Sequence, residues 1–229
     1  EEPKTEDVRK LDLPELPEPG TKNEKSTGWI IHRNDTGYEM SEASVRAMEY
    51  DNEGNLWIGT NGGGLSVRSK DGKWSHITDV ETSNKGTLKI DTVYSIVQRE
   101  NGELWMTLGG PNDPKGILVK DDTGWRNINK DNSTLPACFV QELELDGNGG
   151  IYIGTQNGLV HVDKDGKWTI YTQSEGLLPY SVDAVEPDGE GGVWIGYYPD
   201  TKGTDSEPKY YGGYQYLDPY GKLTTYDGF

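Results

Sequence analysis

The chain has 229 residues, with 39 acidic and 22 basic side chains and a formal net charge of -17. A field of this sign repels phosphate backbones and anionic lipid headgroups, so we expect no nucleic acid partner. Cys138 is the only cysteine, which excludes an intrachain disulfide and a cysteine-based zinc site, and no stretch approaches the roughly 20 apolar residues that a membrane span needs.

The composition favours many short strands over helices. Hydrophobic residues make up only 32% of the chain, whereas glycine contributes 31 residues, a balance typical of strands joined by tight turns. The aromatic residues are 7 Trp and 14 Tyr against 2 Phe, and Trp and Tyr combine a large apolar ring with one polar atom. Such rings suit half-exposed sheet faces and binding surfaces, so we expect an all-β fold.

The first 27 residues are acidic, rich in proline and devoid of aromatic side chains. We expect them to form an extended tether outside the folded domain, which we place at residues 28–229. A signal or lipid-anchor segment upstream of Glu1 is compatible with this start. The segment Trp-Ile-Ile-His-Arg at residues 29–33 follows the tether and has the pattern of one further strand ahead of the first repeat.

One strand pattern then recurs four times along the chain. Each copy has an aromatic residue inside a short apolar run, as in Leu-Trp-Ile-Gly-Thr at residues 56–60. The aromatic residues of the four copies are Trp57, Trp105, Tyr152 and Trp194. Their separations of 48, 47 and 42 residues match a unit of four strands, the repeat length of a propeller blade.

Each strand that carries the aromatic residue has predicted neighbours on both sides. An alternating strand precedes it across a short glycine turn, and a strand led by glycine follows it, before a second glycine turn and an outer strand. The preceding, innermost strands are residues 45–50, 93–97, 140–145 and 182–185. The following strands are residues 64–67, 116–119, 158–162 and 213–217, and the outer strands start at Trp74, Trp125, Trp168 and Leu223.

The pattern predicts a β-propeller of four-stranded antiparallel blades. A single sheet of this kind buries only one face, whereas sheets stacked around an axis bury both. We place the repeats at about residues 44–78, 92–128, 139–172 and 181–229. With residues 29–33 the strands number seventeen, which does not divide into fours, so we expect four to five blades. A β-sandwich or an open solenoid is the alternative, although a sandwich does not favour one aromatic residue at such regular spacing.

The segment Asp-Asn-Glu-Gly-Asn-Leu-Trp-Ile-Gly-Thr-Asn-Gly-Gly-Gly-Leu at residues 51–65, followed by Trp74, resembles the two-component regulator propeller repeat. This repeat is found in periplasmic sensor regions of bacterial hybrid histidine kinases. The resemblance covers nearly everything from Trp29 to Phe229 and is strongest in the first and third copies. It implies a propeller fold, a periplasmic or extracellular location and a ligand-sensing or interaction role. A lipid anchor upstream of Glu1 would make the chain a surface lipoprotein.

The lengths of the connections predict where a ligand binds. The turns between the first and second strands and between the third and fourth are short, whereas the connections on the opposite rim are long. These long connections are residues 78–91, 128–138 and 171–180 and the insert at residues 197–212. In the insert at residues 197–212, tyrosines bracket a polar segment, and such rings stack on sugars or form protein contacts. The alternative is that they only pack the insert onto its neighbour. The predicted ligand-binding residues are Tyr197, Tyr198, Asp200, Tyr210 and Tyr211 and, in the second copy, Asn112 and Asp113.

The sequence offers no motif for catalysis, a cofactor or a metal. His32, His76 and His161 fall on different predicted strands, and the acidic glycine turns lack the full ligand set of a calcium loop. We therefore expect a non-catalytic binding module of the cell envelope, without cofactor or metal, that recognises a glycan fragment or a protein partner. The alternatives are a propeller enzyme, such as a polysaccharide or lactone lyase, and a structural piece of a larger assembly, including a homo-oligomer.

Overall fold

The computed structural model describes residues 44–178, 181–198 and 213–227. The tether and the strand predicted at residues 29–33 lie outside these ranges. None of the helical segments among the described residues is long and apolar enough to cross a membrane. The strands in the described ranges are β1 (Val45–Tyr50), β2 (Leu56–Thr60), β3 (Leu65–Arg68), β4 (Trp74–Ile77), β5 (Asp79–Thr82), β6 (Gly86–Lys89), β7 (Ile96–Gln98), β8 (Leu104–Leu108), β9 (Gly116–Asp121), β10 (Gly124–Ile128), β11 (Val140–Leu145), β12 (Ile151–Thr155), β13 (Gly158–Val162), β14 (Trp168–Tyr171), β15 (Ser181–Pro187), β16 (Val193–Tyr198), β17 (Gly213–Leu217) and β18 (Leu223–Asp227).

These strands form four antiparallel sheets, one for each sequence repeat. Sheet 1 has the order β1-β2-β3-β4, sheet 3 the order β11-β12-β13-β14 and sheet 4 the order β15-β16-β17-β18. Sheet 2 contains the same unit as β7-β8-β9-β10. The predicted all-β propeller architecture of four-stranded antiparallel units is therefore confirmed.

Sheet 2 differs from the prediction at its outer edge. Residues 78–91 were expected to be a long loop, but they contain the hairpin β5-β6, and β5 pairs in parallel with β10 at Thr82 and Trp125. The hairpin forms because Val80 and Leu88 alternate with polar residues and bury their side chains in the core. The side chain of Asn84 ties it to the sheet by donating to the Asn127 carbonyl oxygen at 2.7 Å.

The four repeated aromatic residues occupy one position in their sheets. Trp57 pairs with Glu49, Trp105 with Val97, Tyr152 with Glu144 and Trp194 with Glu186 on the innermost strand. In each sheet the residue two positions after the aromatic residue lies on the same face of the sheet, because side chains alternate along a strand. The repeat read from the sequence is thus a repeat in three dimensions.

Each of the first three aromatic residues packs against the following sheet. Trp57 lies in a core cluster with Val93, Ile96 and Met106 of sheet 2. Trp105 lies with Val140 and Leu143 of sheet 3, and Tyr152 with Val182 and Val185 of sheet 4. Burying apolar area at these junctions, at about 25 cal/mol per Å², holds the sheets face to face.

Glycine at the start of the third strand permits a close approach between strands. Gly64 and Gly116 have φ angles of +77° and +88°. A Cβ atom at Gly116 would lie 2.2 Å from the carbonyl oxygen of Ile128, at the end of the outer strand, and a Cβ at Gly64 would lie 2.5 Å from that of Ile77. The glycine that leads the third strand in sheets 1 and 2 is therefore required by sterics as well as by φ.

Candidate functional site

The long connections and the starts of the innermost strands lie on the same rim. The backbone amide of Asn61, after β2, donates to the carbonyl oxygen of Ser44, just before β1. In the same way Gly109 donates to Thr92 and Gln156 to Phe139, the residue before β11. This rim therefore combines the variable connections with the mouth of the central axis.

The innermost strands carry a β-bulge at this mouth. The register shifts between Val45 and Ala47 in sheet 1, between Val140 and Glu142 in sheet 3 and between Val182 and Ala184 in sheet 4. Bulges occur beside binding sites because they redirect a side chain. The bulged residues are Arg46, Gln141 and Asp183, and Tyr94 holds the equivalent position in sheet 2. We call Arg46, Tyr94, Gln141 and Asp183, together with the adjacent Glu142, the axial mouth.

Two members of the axial mouth form an aromatic and cationic pair. The guanidinium carbon of Arg46 lies 5.7 Å from the centre of the Tyr94 ring. Phe139 packs edge to face against the same ring, with the ring centres 6.2 Å apart. The Tyr94 ring is therefore held between a cation and a second aromatic ring, and it is only partly buried.

The opposite side of the axial mouth is polar. The Gln141 side-chain amide donates to the Ser181 hydroxyl oxygen at 3.0 Å, and it also donates to the Asp183 carboxylate. Asp183 is exposed and Gln141 is half-buried. The pair supplies both hydrogen-bond donors and acceptors. The bulges of sheets 3 and 4 determine where the two side chains lie.

Glu142 supplies a carboxyl group with altered acidity. Burial raises the pKa of Glu142 to about 7, and repulsion from the Glu144 carboxylate adds to the effect. The Ser95 hydroxyl donates to this carboxyl group at 3.3 Å, and Asp183 contributes further repulsion. The carboxyl group of Glu142 is therefore largely protonated below neutral pH and ionised above it.

The loop that contains the predicted residues Asn112 and Asp113 lies next to the axial mouth. Its Gly110 approaches the Tyr94 hydroxyl, since a Cβ atom there would lie 3.6 Å from that oxygen. Lys115 anchors the loop through ion pairs of 2.9 Å to Asp91 and 3.0 Å to Asp113. Asn112 and Asp113 are both exposed.

The predicted tyrosine insert is described only at its beginning. Tyr197 is 7% exposed, and its hydroxyl donates to Gln215 within the core of sheet 4. Tyr198 points to the opposite face of β16 and is 60% exposed. Asp200, Tyr210 and Tyr211 lie outside the described residues.

A shallow cavity of about 220 Å³ opens on the same rim, between the turn from β12 to β13 and the connection from β14 to β15. The side-chain amides of Gln156, Asn157 and Gln173 line it, and Leu177 and Leu178 provide its apolar wall. None of the residues that line the cavity belongs to the axial mouth.

The histidine and aspartate pair in sheet 3 has a structural explanation. His161 Nε2 lies 2.8 Å from Asp146 Oδ2. The corresponding oxygen of Asp51 accepts from the Trp57 indole at 2.8 Å, and that of Asp188 from the Tyr216 hydroxyl at 2.6 Å. Each of these aspartates also accepts a backbone hydrogen bond within its hairpin turn through Oδ1. His161 is therefore the hydrogen-bond partner of the turn aspartate in sheet 3, as Trp57 is in sheet 1 and Tyr216 is in sheet 4. In the described part of the chain, no three His, Cys, Asp or Glu side chains come together as a metal site requires.

The sequence predicted that the long connections share one rim, but it did not identify the axial mouth. The innermost strands were read as regular alternation, whereas the bulge shifts Arg46, Gln141 and Asp183 relative to the residues that follow. The sequence does contain one signal, because each of these polar residues follows a valine at or next to the start of its strand, at positions 45, 140 and 182.

The comparison with protein families supports the sequence resemblance. The model of the two component regulator propeller family matches residues 39–62. The match contains β1, β2 and the turn between them. No curated protein has detectable sequence similarity to the chain.

Solved structures of two Bacteroides thetaiotaomicron proteins share the fold. The extracellular domain of the putative hybrid two component system BT4673 has a TM-score of 0.62 and 19% identity over 83% of this chain. The corresponding domain of BT3049 has a TM-score of 0.57 and 20% identity over 72% of this chain. The chain spans only 25% and 22% of the lengths of these two proteins.

Proposed function

We propose that this chain, which carries a two-component regulator propeller repeat, is a non-catalytic binding module that recognises a glycan fragment at the axial mouth. The observation that carries the proposal is the set of equivalent strand positions that place Arg46, Tyr94, Gln141 and Asp183 at one rim. Because different repeats supply one side chain each, the site is asymmetric although the scaffold is repetitive.

The chemistry of the axial mouth suits a saccharide. A tyrosine ring held by Arg46 and Phe139 offers an apolar face for a sugar ring. The amide of Gln141 and the carboxylate of Asp183 offer a donor and acceptors for hydroxyl groups. Asn112, Asp113, Tyr198 and the insert residues Asp200, Tyr210 and Tyr211 are proposed to extend the contact along the rim, with Tyr197 supporting the insert from the core.

The structural comparisons support a location outside the cytoplasm. Both similar Bacteroides proteins are described as extracellular domains of two component systems. We propose that this chain likewise acts at the cell envelope, periplasmic or extracellular, in a sensor-like role and for example as a surface lipoprotein.

A glycan array followed by calorimetry on the binders tests the proposal. Tyr94→Ala and Arg46→Gln should each weaken binding of the same oligosaccharide at least tenfold, because each removes one side of the aromatic and cationic pair. Tyr220→Ala is the matched control, since Tyr220 is 94% exposed on a turn of the opposite rim. Full-strength glycan binding by both axial variants would refute the proposal, as would an array without binders.

One observation supports a propeller lyase as the second candidate. The carboxyl group of Glu142 has a pKa of about 7 and lies in the axial mouth, where it would exchange protons with a bound ligand. Incubation of the binding glycans with the chain, followed by mass spectrometry, separates the two functions. Intact glycans support the binding module, whereas shortened or unsaturated products that disappear with Glu142→Gln would establish the enzyme.

A further inference from the structure

The outer face of sheet 4 presents a cluster of aromatic rings to solvent. Trp194 and Tyr214 lie 5.9 Å apart between ring centres, and Tyr214 stacks on Tyr226 at 5.0 Å. Tyr216 lies 4.8 Å from Trp194. Trp194, Tyr214 and Tyr226 are 38%, 49% and 39% exposed. We call Trp194, Tyr214, Tyr216 and Tyr226 the aromatic end face.

This face is equivalent to three faces that are buried elsewhere in the molecule. Trp57, Trp105 and Tyr152 occupy the position of Trp194, and they are only 5%, 2% and 7% exposed because the following sheet covers them. Among the described residues no sheet follows sheet 4. The aromatic end face is therefore built as one half of a sheet-to-sheet junction.

The other half of such a junction is present at the opposite end of the stack. In the three junctions, the receiving sheet contributes a valine near the start of its innermost strand and an apolar residue three positions later: Val93 and Ile96, Val140 and Leu143, Val182 and Val185. Their equivalents in sheet 1 are Val45 and Met48. These two residues, 37% and 64% exposed, define the receiving end face.

The charges at the two ends are also complementary. In the junction between sheets 1 and 2, Lys120 shares a cleft with Asp51 and Glu53 of the preceding turn. The residue of sheet 1 equivalent to Lys120 is Arg68, since both pair with the leucine that begins the second strand. The residues of sheet 4 equivalent to Asp51 and Glu53 are Asp188 and Glu190. Arg68 would therefore meet two carboxylates if sheet 1 received sheet 4.

We propose that a second copy of this chain docks its receiving end face on the aromatic end face, so that the sheet stack continues head to tail from one copy into the next. Three observations carry the proposal. The contact would repeat the three junctions within the chain, the aromatic end face and the receiving end face are both exposed, and the charges beside them are opposite. The contact is heterologous, so it closes into a ring or extends as a chain of copies. It does not rest on the proposed ligand or on the axial mouth.

Sedimentation velocity with two complementary variants tests this arrangement. The wild-type chain should self-associate as its concentration rises from the low to the high micromolar range. Trp194→Arg removes the aromatic end face, and Met48→Arg removes the receiving end face, so each variant alone should remain a monomer. Mixed together, they should form a one-to-one complex, because each variant retains the half that the other lacks. Tyr214→Arg is a second variant of the aromatic end face, and Tyr220→Arg on a turn is the control.

A wild-type dimer or longer assembly, monomeric single variants and a complex in the mixture support the proposal. A wild-type chain that stays monomeric would overturn it and leave the aromatic end face to a different occupant. Failure of the two folded variants to associate when mixed would also overturn it, because an isologous contact or an unrelated surface would then be responsible.

Discussion

The guanidinium group of Arg99 donates a hydrogen bond to the backbone carbonyl oxygen of Gly149 at 2.8 Å, across the junction between sheets 2 and 3. It also donates to the carbonyl oxygen of Asp163 at 3.2 Å and pairs with Glu103 at 3.2 Å. Arg99 occupies the turn position that Asp51 holds in sheet 1. Asp51 accepts hydrogen bonds within its own turn, whereas Arg99 donates to the neighbouring sheet and so clamps the two sheets together.

Replacement of Arg99 should weaken this junction. Arg99→Gln removes the donor to two half-buried carbonyl oxygens and breaks the ion pair of a buried guanidinium group with Glu103. These losses should cost about 3 kcal/mol in the free energy of unfolding. For a chain of this size that corresponds to a Tm lower by roughly 6–12 °C, measured by calorimetry. The control is Lys164→Gln, an exposed change in the same cleft, which should leave the Tm nearly unchanged. Equal Tm values for both variants would contradict the clamp.

A matched pair of glycines separates steric contact from backbone conformation. Gly116 and Gly221 have φ angles of +88° and +86°, but only Gly116 has a carbonyl oxygen 2.2 Å from the place of a Cβ atom. Gly221→Ala should cost about 1 kcal/mol for the positive φ alone. Gly116→Ala should cost at least about 2 kcal/mol more, because strands β9 and β10 must move apart. Chemical denaturation measures both, and similar costs would mean that the close strand approach is not required.

The hydrogen bond between Trp57 and Asp51 should contribute measurably to stability. Trp57→Phe keeps an aromatic ring in the core but removes the indole donor at 2.8 Å from the Asp51 carboxylate. We expect a loss of about 1–2 kcal/mol in urea denaturation. Trp194→Phe is the control, because the equivalent indole has no hydrogen-bond partner in the described structure and is partly exposed. A Trp57→Phe variant as stable as this control would show that the bond contributes nothing.

The raised pKa of Glu142 predicts that the free energy of unfolding depends on pH. Because burial raises its pKa to about 7, the folded chain keeps Glu142 protonated at pH values where an unfolded glutamate, near 4.5, is already ionised. The stability that the protonated Glu142 side chain contributes to the folded chain is fully present below about pH 4.5 and is lost as the pH rises through about 7. Glu142→Gln cannot ionise and avoids this loss.

The Glu142→Gln variant should therefore gain stability relative to wild type as the pH rises from 5 to 8. We expect a gain of about 1–2 kcal/mol, reduced from the full linkage value because the group is partly solvated. Glu175 provides the opposite sign, since hydrogen bonds from Thr172 and Ser174 lower its pKa. Its stabilisation is lost as the pH falls. Thermal unfolding of wild type and Glu142→Gln from pH 5 to 8 checks the first sign, and a gain that does not grow with pH would contradict it. Thermal unfolding of Glu175→Gln below pH 5 checks the second sign, because there the wild-type chain loses the stabilisation that this variant lacks.

Much of the fold was accessible from the sequence because the repeat encodes it several times. The positions of Trp57, Trp105, Tyr152 and Trp194 in one register follow from their spacing, and the glycines mark the turns. The hairpin β5-β6 was missed because it occurs in one repeat only, so no other copy reinforced its weak alternation.

The candidate site was less accessible for a physical reason. A bulge moves one residue out of register without changing the composition of the strand, so Arg46, Gln141 and Asp183 read as ordinary members of alternating strands. The contact between Arg46 and Tyr94 joins residues from two repeats, and strand patterns within one repeat contain no information on it. The raised pKa of Glu142 likewise depends on Glu144 and on burial at the axis.

The stacked propeller arrangement requires that each of the first three repeated aromatic residues, Trp57, Trp105 and Tyr152, packs on the sheet that follows it. Nuclear Overhauser contacts between the aromatic protons and assigned methyl groups measure this directly. We predict contacts from Trp57 to Val93, Ile96 or Met106, from Trp105 to Val140 or Leu143, and from Tyr152 to Val182 or Val185. Contacts confined to methyl groups of the same repeat, with none to the next, would contradict the stacked propeller arrangement.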